Sequence, residues 1–272
     1  MNILINYADT KYKTARKWNS RTGKWFGKFE KIFEFTPKDI DADFRNEYTK
    51  ILSNPRGNGL WLWKPYFINK IINESKNGDF IFYIDSGAFF IRDPRVLLNY
   101  MDDKNPIFVC DQPLLESCWT KPEVFEALDA WKFANKNQIL AGMQIILVND
   151  YTREFYAKWL SLCCKYELIS PAGLGKYDKA KYNYGTCFVS HREDQSIFSI
   201  LCHINGIEPH RDISQRGYDP KSFYNPHYAY SPNKHPNDKY KTIIFLHKSP
   251  NLNIFFWLRY VKNKIKKRFF YI

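Results

Sequence analysis

The 272-residue chain predicts an α/β protein: a mixed sheet flanked by helices, followed by a basic amphipathic C-terminal tail. Three observations carry that expectation. Short apolar runs rich in aromatic and β-branched residues recur along the chain, as strands covered on both faces require. Segments with apolar residues at helical spacing alternate with them. The best-defined apolar run, Phe80 to Ile84, is broken at its carboxyl end by Asp85-Ser86-Gly87, where open α/β sheets hold their ligands.

Taken in order, Ile3 to Tyr7 reads as the first strand, ending in Tyr7-Ala8-Asp9. Residues 10–31 are basic and hold Gly23 and Gly27, so they read as a loop or flap. Ile40, Phe44, Tyr48 and Ile51 share one helical face. Asn54 to Gly59 is a glycine loop suited to bringing N–H groups near a ligand, but no Walker sequence follows it. Pro65 suits a first helical turn, Phe67, Ile68, Ile71 and Ile72 continue at helical spacing, and Asn77-Gly78 stops that helix. Strand Phe80–Ile84 comes next, then a short helix from Arg92-Asp93-Pro94 through Leu98, and a strand Ile107–Cys110 ending in Asp111. Thr120 and Glu123 have capping-box spacing for a helix running to about Phe133. Gln144–Val148 is a strand, and Tyr151–Cys164 a helix burying Phe155, Trp159 and Leu162. Residues 165–190 suit an acceptor-side loop. His191 to Ser196 leads into a helix Ile197–His203, residues 208–240 read as loop, and Thr242–Leu246 is a last strand carrying His247-Lys248.

Composition narrows the class. An apolar content of 44% is enough for one sizeable core, placed at 1–250 with the tail 251–272 after it. Forty-one basic against twenty-eight acidic residues leave +13, which suits a polyanionic partner: nucleic acid, acidic lipid or a phosphate-bearing substrate. The positive charge gathers at the N-terminal loop and the tail, and no RNP, KH or zinc-knuckle pattern is present, which argues against nucleic acid. The six cysteines form no CxxC or disulfide framework, so a reduced cytosolic compartment is expected. The tail carries six cations interleaved with aromatics and no acid, the composition of an interfacial helix on an anionic membrane face. A surface helix packed on the main body by its aromatic side fits the same composition.

The blocks GNGLWLWKPY, GDFIFYIDSG, ESCWTKPEVFEAL, AGMQIILVN and HREDQSIFSIL, in that order, resemble bacterial sugar transferases of the GT-A glycosyltransferase fold, which make capsular and lipopolysaccharide-type surface glycans. The likeness runs from about Asn2 to about Ile207. It implies a nucleotide-sugar donor, UDP-linked, and a glycan or glycolipid acceptor. It nominates Tyr7 and Asp9 for the nucleoside, Arg56, Trp63 and Lys64 for the donor diphosphate region, Asp85, Ser86 and Gly87 for the donor, and Lys121 through its WTK element. Asp194 would orient the transferring sugar or act as base, with Gln195 supporting the anomeric centre. An N-cap explains Asp194 equally well. Family members hold Mn²⁺ or Mg²⁺ through Asp-any-Asp, and here the third position is Gly87. A site of Asp85 and His247 completed by water and diphosphate oxygens is the remaining metal expectation. A non-catalytic glycan-binding protein of the same fold is the rival reading.

Overall fold

The computed structural model describes residues 1–172, 188–225, 229–252 and 257–258. Strands β1 (Asn2–Tyr7), β2 (Lys31–Phe35), β3 (Phe80–Ile84), β5 (Ile107–Leu115) and β6 (Asn137–Leu147) form one sheet in the order β2-β1-β3-β6-β5. Strands β1, β2 and β3 are parallel, and β6 runs antiparallel to both β3 and β5, so four strands point one way and the sheet is mixed. A separate antiparallel pair joins β4 (Ala88–Phe90) to β7 (Ile244–Leu246). The helices that bear on the site are α1 (Lys13–Thr22), α2 (Trp63–Glu74), α3 (Asp150–Cys163) and α4 (Glu193–Ile204).

The alternation of the strands explains their apolar runs. Ile3, Ile5, Ile81, Tyr83 and Ile146 face one core with α2, α3 and α4. Leu4, Phe82, Ile84, Phe108 and Ile145 face a second core on the other side of the sheet. Each such side chain contributes about 1.5–3 kcal/mol by its burial. Because both faces are covered, β3 is apolar to its end and β1 buries a polar side chain only at Asn6, where Asn19 and Ser20 of α1 receive its amide. That is why Asp9 and Asp85 come where they do.

Several sequence expectations are corrected. Residues 10–31 are not a loop: α1 is followed by a π-helical turn, Gly23–Gly27. The inner face of α1 is polar, which hides it from a hydrophobicity pattern. Asn19 Nδ2 donates to Ala88 O at 2.9 Å, and Asn6 Nδ2 donates to Asn19 Oδ1 at 2.9 Å. Strands β5 and β6 run well past the expected limits because the buried Gln112, Asn137, Gln138 and Gln144 interrupt the apolar signal. Thr120 and Glu123 make no capping box. The helix there is Pro122–Ala127, its flanking Lys121 makes no side-chain cap, and Thr120 Oγ1 donates to Glu116 Oε2 at 2.6 Å. Cys110, Cys163, Cys164 and Cys202 are free, while Cys118 is disulfide-bonded, a pairing that cysteine spacing did not signal. The tail lies outside the described residues except at residues 251, 252, 257 and 258, and so does most of the 165–190 segment. Among the described residues, no helix is long and apolar enough to cross a membrane.

Candidate active site

Three short segments meet beyond the carboxyl ends of β1 and β3. The first turn of α2 brings Lys64, the break after β3 brings Asp85, and the first turn of α4 brings Asp194. Lys64 Nζ lies 3.0 Å from Asp194 Oδ2 and 3.7 Å from Asp85 Oδ1. The Asp194 contact is an ion pair rather than a well-aligned hydrogen bond, since Oδ2 accepts none by geometry. Lys64 and Asp194 are buried, whereas the Asp85 side chain is 42% exposed and faces the cleft. Tyr83 Oη donates to Asp85 Oδ1 at 2.6 Å. Space for that carboxylate depends on Gly142 of β6, where a Cβ would lie 2.6 Å from Asp85 Oδ2.

The protonation states follow from unequal partnerships. Burial presses the Lys64 pKa down, but the carboxylates of Asp194 and Asp85 outweigh it, and the ammonium is held charged. Asp194 has a single cation against its burial and a like charge in Asp85. Its pKa is raised to about 6, chiefly by desolvation, with Lys64 opposing. Near pH 7 the carboxylate is therefore ionised but costly to keep so. Asp194 is not the N-cap. Arg192 occupies that position without a side-chain cap, and Asp194 sits in the first turn with its carboxylate turned to Lys64.

Arg56 closes the cleft from another side, its Nε 2.5 Å from Glu193 Oε1. Burial raises the Glu193 pKa to about 7, against the pull of Arg56. The glycine loop after Arg56 is unusual. Gly57, Asn58, Gly59, Leu60 and Trp61 all have positive φ, at 60°, 53°, 95°, 52° and 60°, and make a left-handed turn. For non-glycine residues this costs about 1–2 kcal/mol each. A Cβ on Gly57 would sit 2.2 Å from the Trp61 ring. The N–H groups of residues 58–62 all donate within the turn, so the loop does not present them to a ligand as the sequence suggested. What the turn does is aim Arg56 and Trp61 into the cleft.

The cleft has two halves that share Trp61, Asp85, Leu246 and Lys248. The larger, about 520 Å³, is lined by Tyr7, Asp9, Asn58, Trp63, Ser86 and Gly87, among others. Tyr7 and Trp63 stack at 3.7 Å and are nearly buried, so they offer edges rather than faces to a ligand. Asn58 Nδ2 donates to Tyr7 Oη. Ser86 Oγ donates to Tyr7 O at 2.6 Å and ties the two strand ends together. Asp9 Oδ1 accepts from Tyr12 N at 3.0 Å, in the turn that leads into α1.

The second half, about 340 Å³, holds Lys64, Asp194, Gln195 and Arg56. It also holds residues that sequence reasoning did not assign: Gln112, Arg192, Asp212, Arg216 and Lys248. Gln195 Nε2 and Gln112 Nε2 both donate to Gln138 Oε1, at 2.8 and 3.0 Å, fixing two amides at the cleft wall. A separate hollow of about 400 Å³ between Phe133 and His235 contains none of these residues.

Two nominated residues are not brought to the cleft. Lys121 is buried, and its Nζ donates to Ser170 O at 2.8 Å and Ser170 Oγ at 2.9 Å. His247 has its backbone N–H on Gly87 O at 2.8 Å, but its ring lies 5.7 Å from the Phe89 ring and its Nδ1 accepts from Ser249 N. Strand alternation sends Leu246 and Lys248 into the cleft and His247 away from it. Burial lowers the His247 pKa to about 4. The donor set does not fit a divalent cation. Asp85 already engages Tyr83 and Lys64, Gly87 supplies no carboxylate, and His247 points elsewhere. Among the described residues no three His, Cys, Asp or Glu form a metal-ligating group.

No protein-family model and no curated protein matches the chain. Its backbone is similar to the apo form of mouse xyloside xylosyltransferase 1, at 9% identity over 90% of this chain and 97% of that one, with a TM-score of 0.46. It is similar to the galactosyltransferase LgtC in complex with donor and acceptor sugar analogues, at 14% identity over 91% and 87%, with a TM-score of 0.48. It is also similar to the glycosyltransferase GlyE of Streptococcus pneumoniae TIGR4, at 13% identity over 89% and 57%, with a TM-score of 0.42. All three are glycosyltransferases, and the functional reading that follows rests on the residues of the cleft.

Proposed function

We propose that this chain transfers a hexosyl unit from a nucleotide-sugar donor, UDP-linked, to a hydroxyl of a bacterial surface-glycan acceptor. The observation that supports it most is the buried Lys64 holding Asp85 and Asp194 together at the ends of β1 and β3. The larger half of the cleft takes the nucleoside, beside Tyr7, Asp9 and Asn58. The sugar then lies toward Lys64, Asp194 and Gln195. As the bond from C1 to the diphosphate breaks, its electron pair goes to the diphosphate. The acceptor oxygen bonds to C1, and the acceptor hydroxyl proton passes to a carboxylate of the cleft, Asp85 being the exposed one. Asp194, ionised at neutral pH, places negative charge beside the oxocarbenium-like transition state, and Lys64 keeps that charge in position. Gln195 is fixed by Gln138 to face the anomeric centre.

A panel of nucleotide sugars tests this, read as release of free nucleotide with and without lipid-linked or short glycan acceptors. One donor should be turned over, and Asp85→Asn should reduce that turnover more than tenfold with folding intact, at least about 1.4 kcal/mol of barrier. Binding of a nucleotide sugar with no release under any acceptor would instead make the chain a glycan-binding protein.

The acceptor class places the protein at the inner face of the cell membrane, through the basic-aromatic residues 251–272. Trp257, at the start of that tail, stacks edge-on against Trp18 at 4.9 Å, and Trp18 adjoins the exposed Trp25. Arg21 lies over the same Trp18 ring, 5.1 Å from its centroid. The full chain should sediment with anionic vesicles in low salt and not with neutral ones. Equal recovery with both would remove the membrane from the reading.

A further inference from the structure

The resemblance gives the donor diphosphate to Arg56 and Lys64, which here engage Glu193, Asp85 and Asp194, while Lys248, Arg216 and Arg192 line the cleft with no role assigned. We propose that Lys248, with Arg216 and Arg192, forms a cationic seat for the donor diphosphate, so that nucleotide binding needs no divalent metal. This rests on the glycosyltransferase reading of the same site.

The Gly87 position carries the argument. Where a second carboxylate would stand, the chain has a glycine whose carbonyl accepts from His247 N at 2.8 Å and Lys248 N at 3.0 Å. The β4–β7 pair therefore delivers a lysine to the place where a metal would need an acid. Lys248 adopts φ 54°, a left-handed conformation that disfavours a side-chain-bearing residue and is held here by the two bonds to Gly87. Its side chain lines both halves of the cleft, at the Asp85 boundary where a diphosphate joins nucleoside to sugar.

Arg216 and Arg192 line the sugar half. Each guanidinium is set on an aromatic ring, Arg216 4.7 Å from Phe223 and Arg192 4.3 Å from Trp119. The acids facing Lys248 are Asp85, already beside Lys64, and Asp212, whose Oδ1 accepts from Ser214 N. Glu193 and Asp194 answer to Arg56 and Lys64. Burial first, then repulsion from Arg216 and Arg192, press the Lys248 pKa down, with Asp85 and Asp212 opposing. A dianion placed there relieves that repulsion. When the bond from C1 breaks, the diphosphate gains one negative charge, and three cations neutralise it as a metal otherwise would.

Titration calorimetry on the full chain, with inorganic pyrophosphate and UDP as probes, tests the seat. In EDTA both should bind, and adding Mn²⁺ should change neither affinity more than about twofold. Lys248→Met and Arg216→Met should each weaken pyrophosphate at least tenfold, while Lys248→Arg retains it. Thermal melting of each variant without ligand shows that it is folded. Binding that appears only with Mn²⁺ overturns the seat and leaves the transferase reading standing. Wild-type affinity in Lys248→Met also overturns it. No binding of either probe, with or without metal, overturns both the seat and the reading beneath it.

Discussion

Replacing Lys64 by methionine should cost about 3–5 kcal/mol of stability, because it leaves the Asp194 carboxylate buried without its cation. The molecules that remain folded should turn over more than a hundredfold slower, about 2.7 kcal/mol or more of barrier, since Asp85 and Asp194 lose the group that sets their separation. Urea unfolding and turnover per folded molecule, on one preparation, measure the two losses. The double variant Lys64→Met with Asp194→Asn should recover much of the stability but none of the activity. If the double variant is no more stable than Lys64→Met alone, the two residues are not an energetic pair.

Asp194→Asn should lower kcat at least a hundredfold while UDP binding survives. Its pH behaviour separates a role in transfer from a structural one. The folded protein holds Asp194 at a pKa of about 6 against an ordinary 3.8. Between those values the native state binds a proton that the unfolded chain has lost. The contribution of Asp194 to stability is therefore full below about pH 4 and falls as pH rises through 6, by on the order of 2–3 kcal/mol. The asparagine variant lacks that fall. Wild-type turnover should rise across the same window as the carboxylate ionises, and residual turnover in the variant should be flat there. A variant with unchanged kcat and only altered stability would reduce Asp194 to a structural partner of Lys64.

The run Phe80 to Asp85 shows how far a sequence carries by itself. A strand covered on both faces must be apolar throughout, so the first acid after it marks both the strand end and the ligand crevice. The same logic located Tyr7 and Asp9. Helix α2 was legible from Pro65 and its apolar spacing, and α4 from its apolar run after Ser196, although it begins at Glu193 rather than Ile197. Helix α1 was not, because its buried face is Arg16 and Asn19, residues whose burial makes sense only once Asn6 and the Ala88 carbonyl lie opposite. The buried Gln112 of β5 and the buried Asn137 and Gln138 of β6 hid in the same way the parts of those strands beyond Ile107–Cys110 and before Gln144.

The chemistry of the site divides along the same line. The strand end nominated Asp85, and the resemblance carried by the blocks around them nominated Lys64 and Asp194. That one lysine sits between the two acids is a relation across 130 residues, from Lys64 to Asp194, and no spacing encodes it. The resemblance nominated Lys121 and His247 as well, yet packing turned one toward Ser170 and the other toward Phe89. Lys248, Arg216 and Asp212 had no signal, because a lone cation or acid in a loop has the same appearance whether it meets solvent or a cleft. Local sequence determined which groups were available at the strand ends. Only the tertiary structure decided which of them meet, because burial and Coulomb partnership depend on distances that the order of residues does not contain.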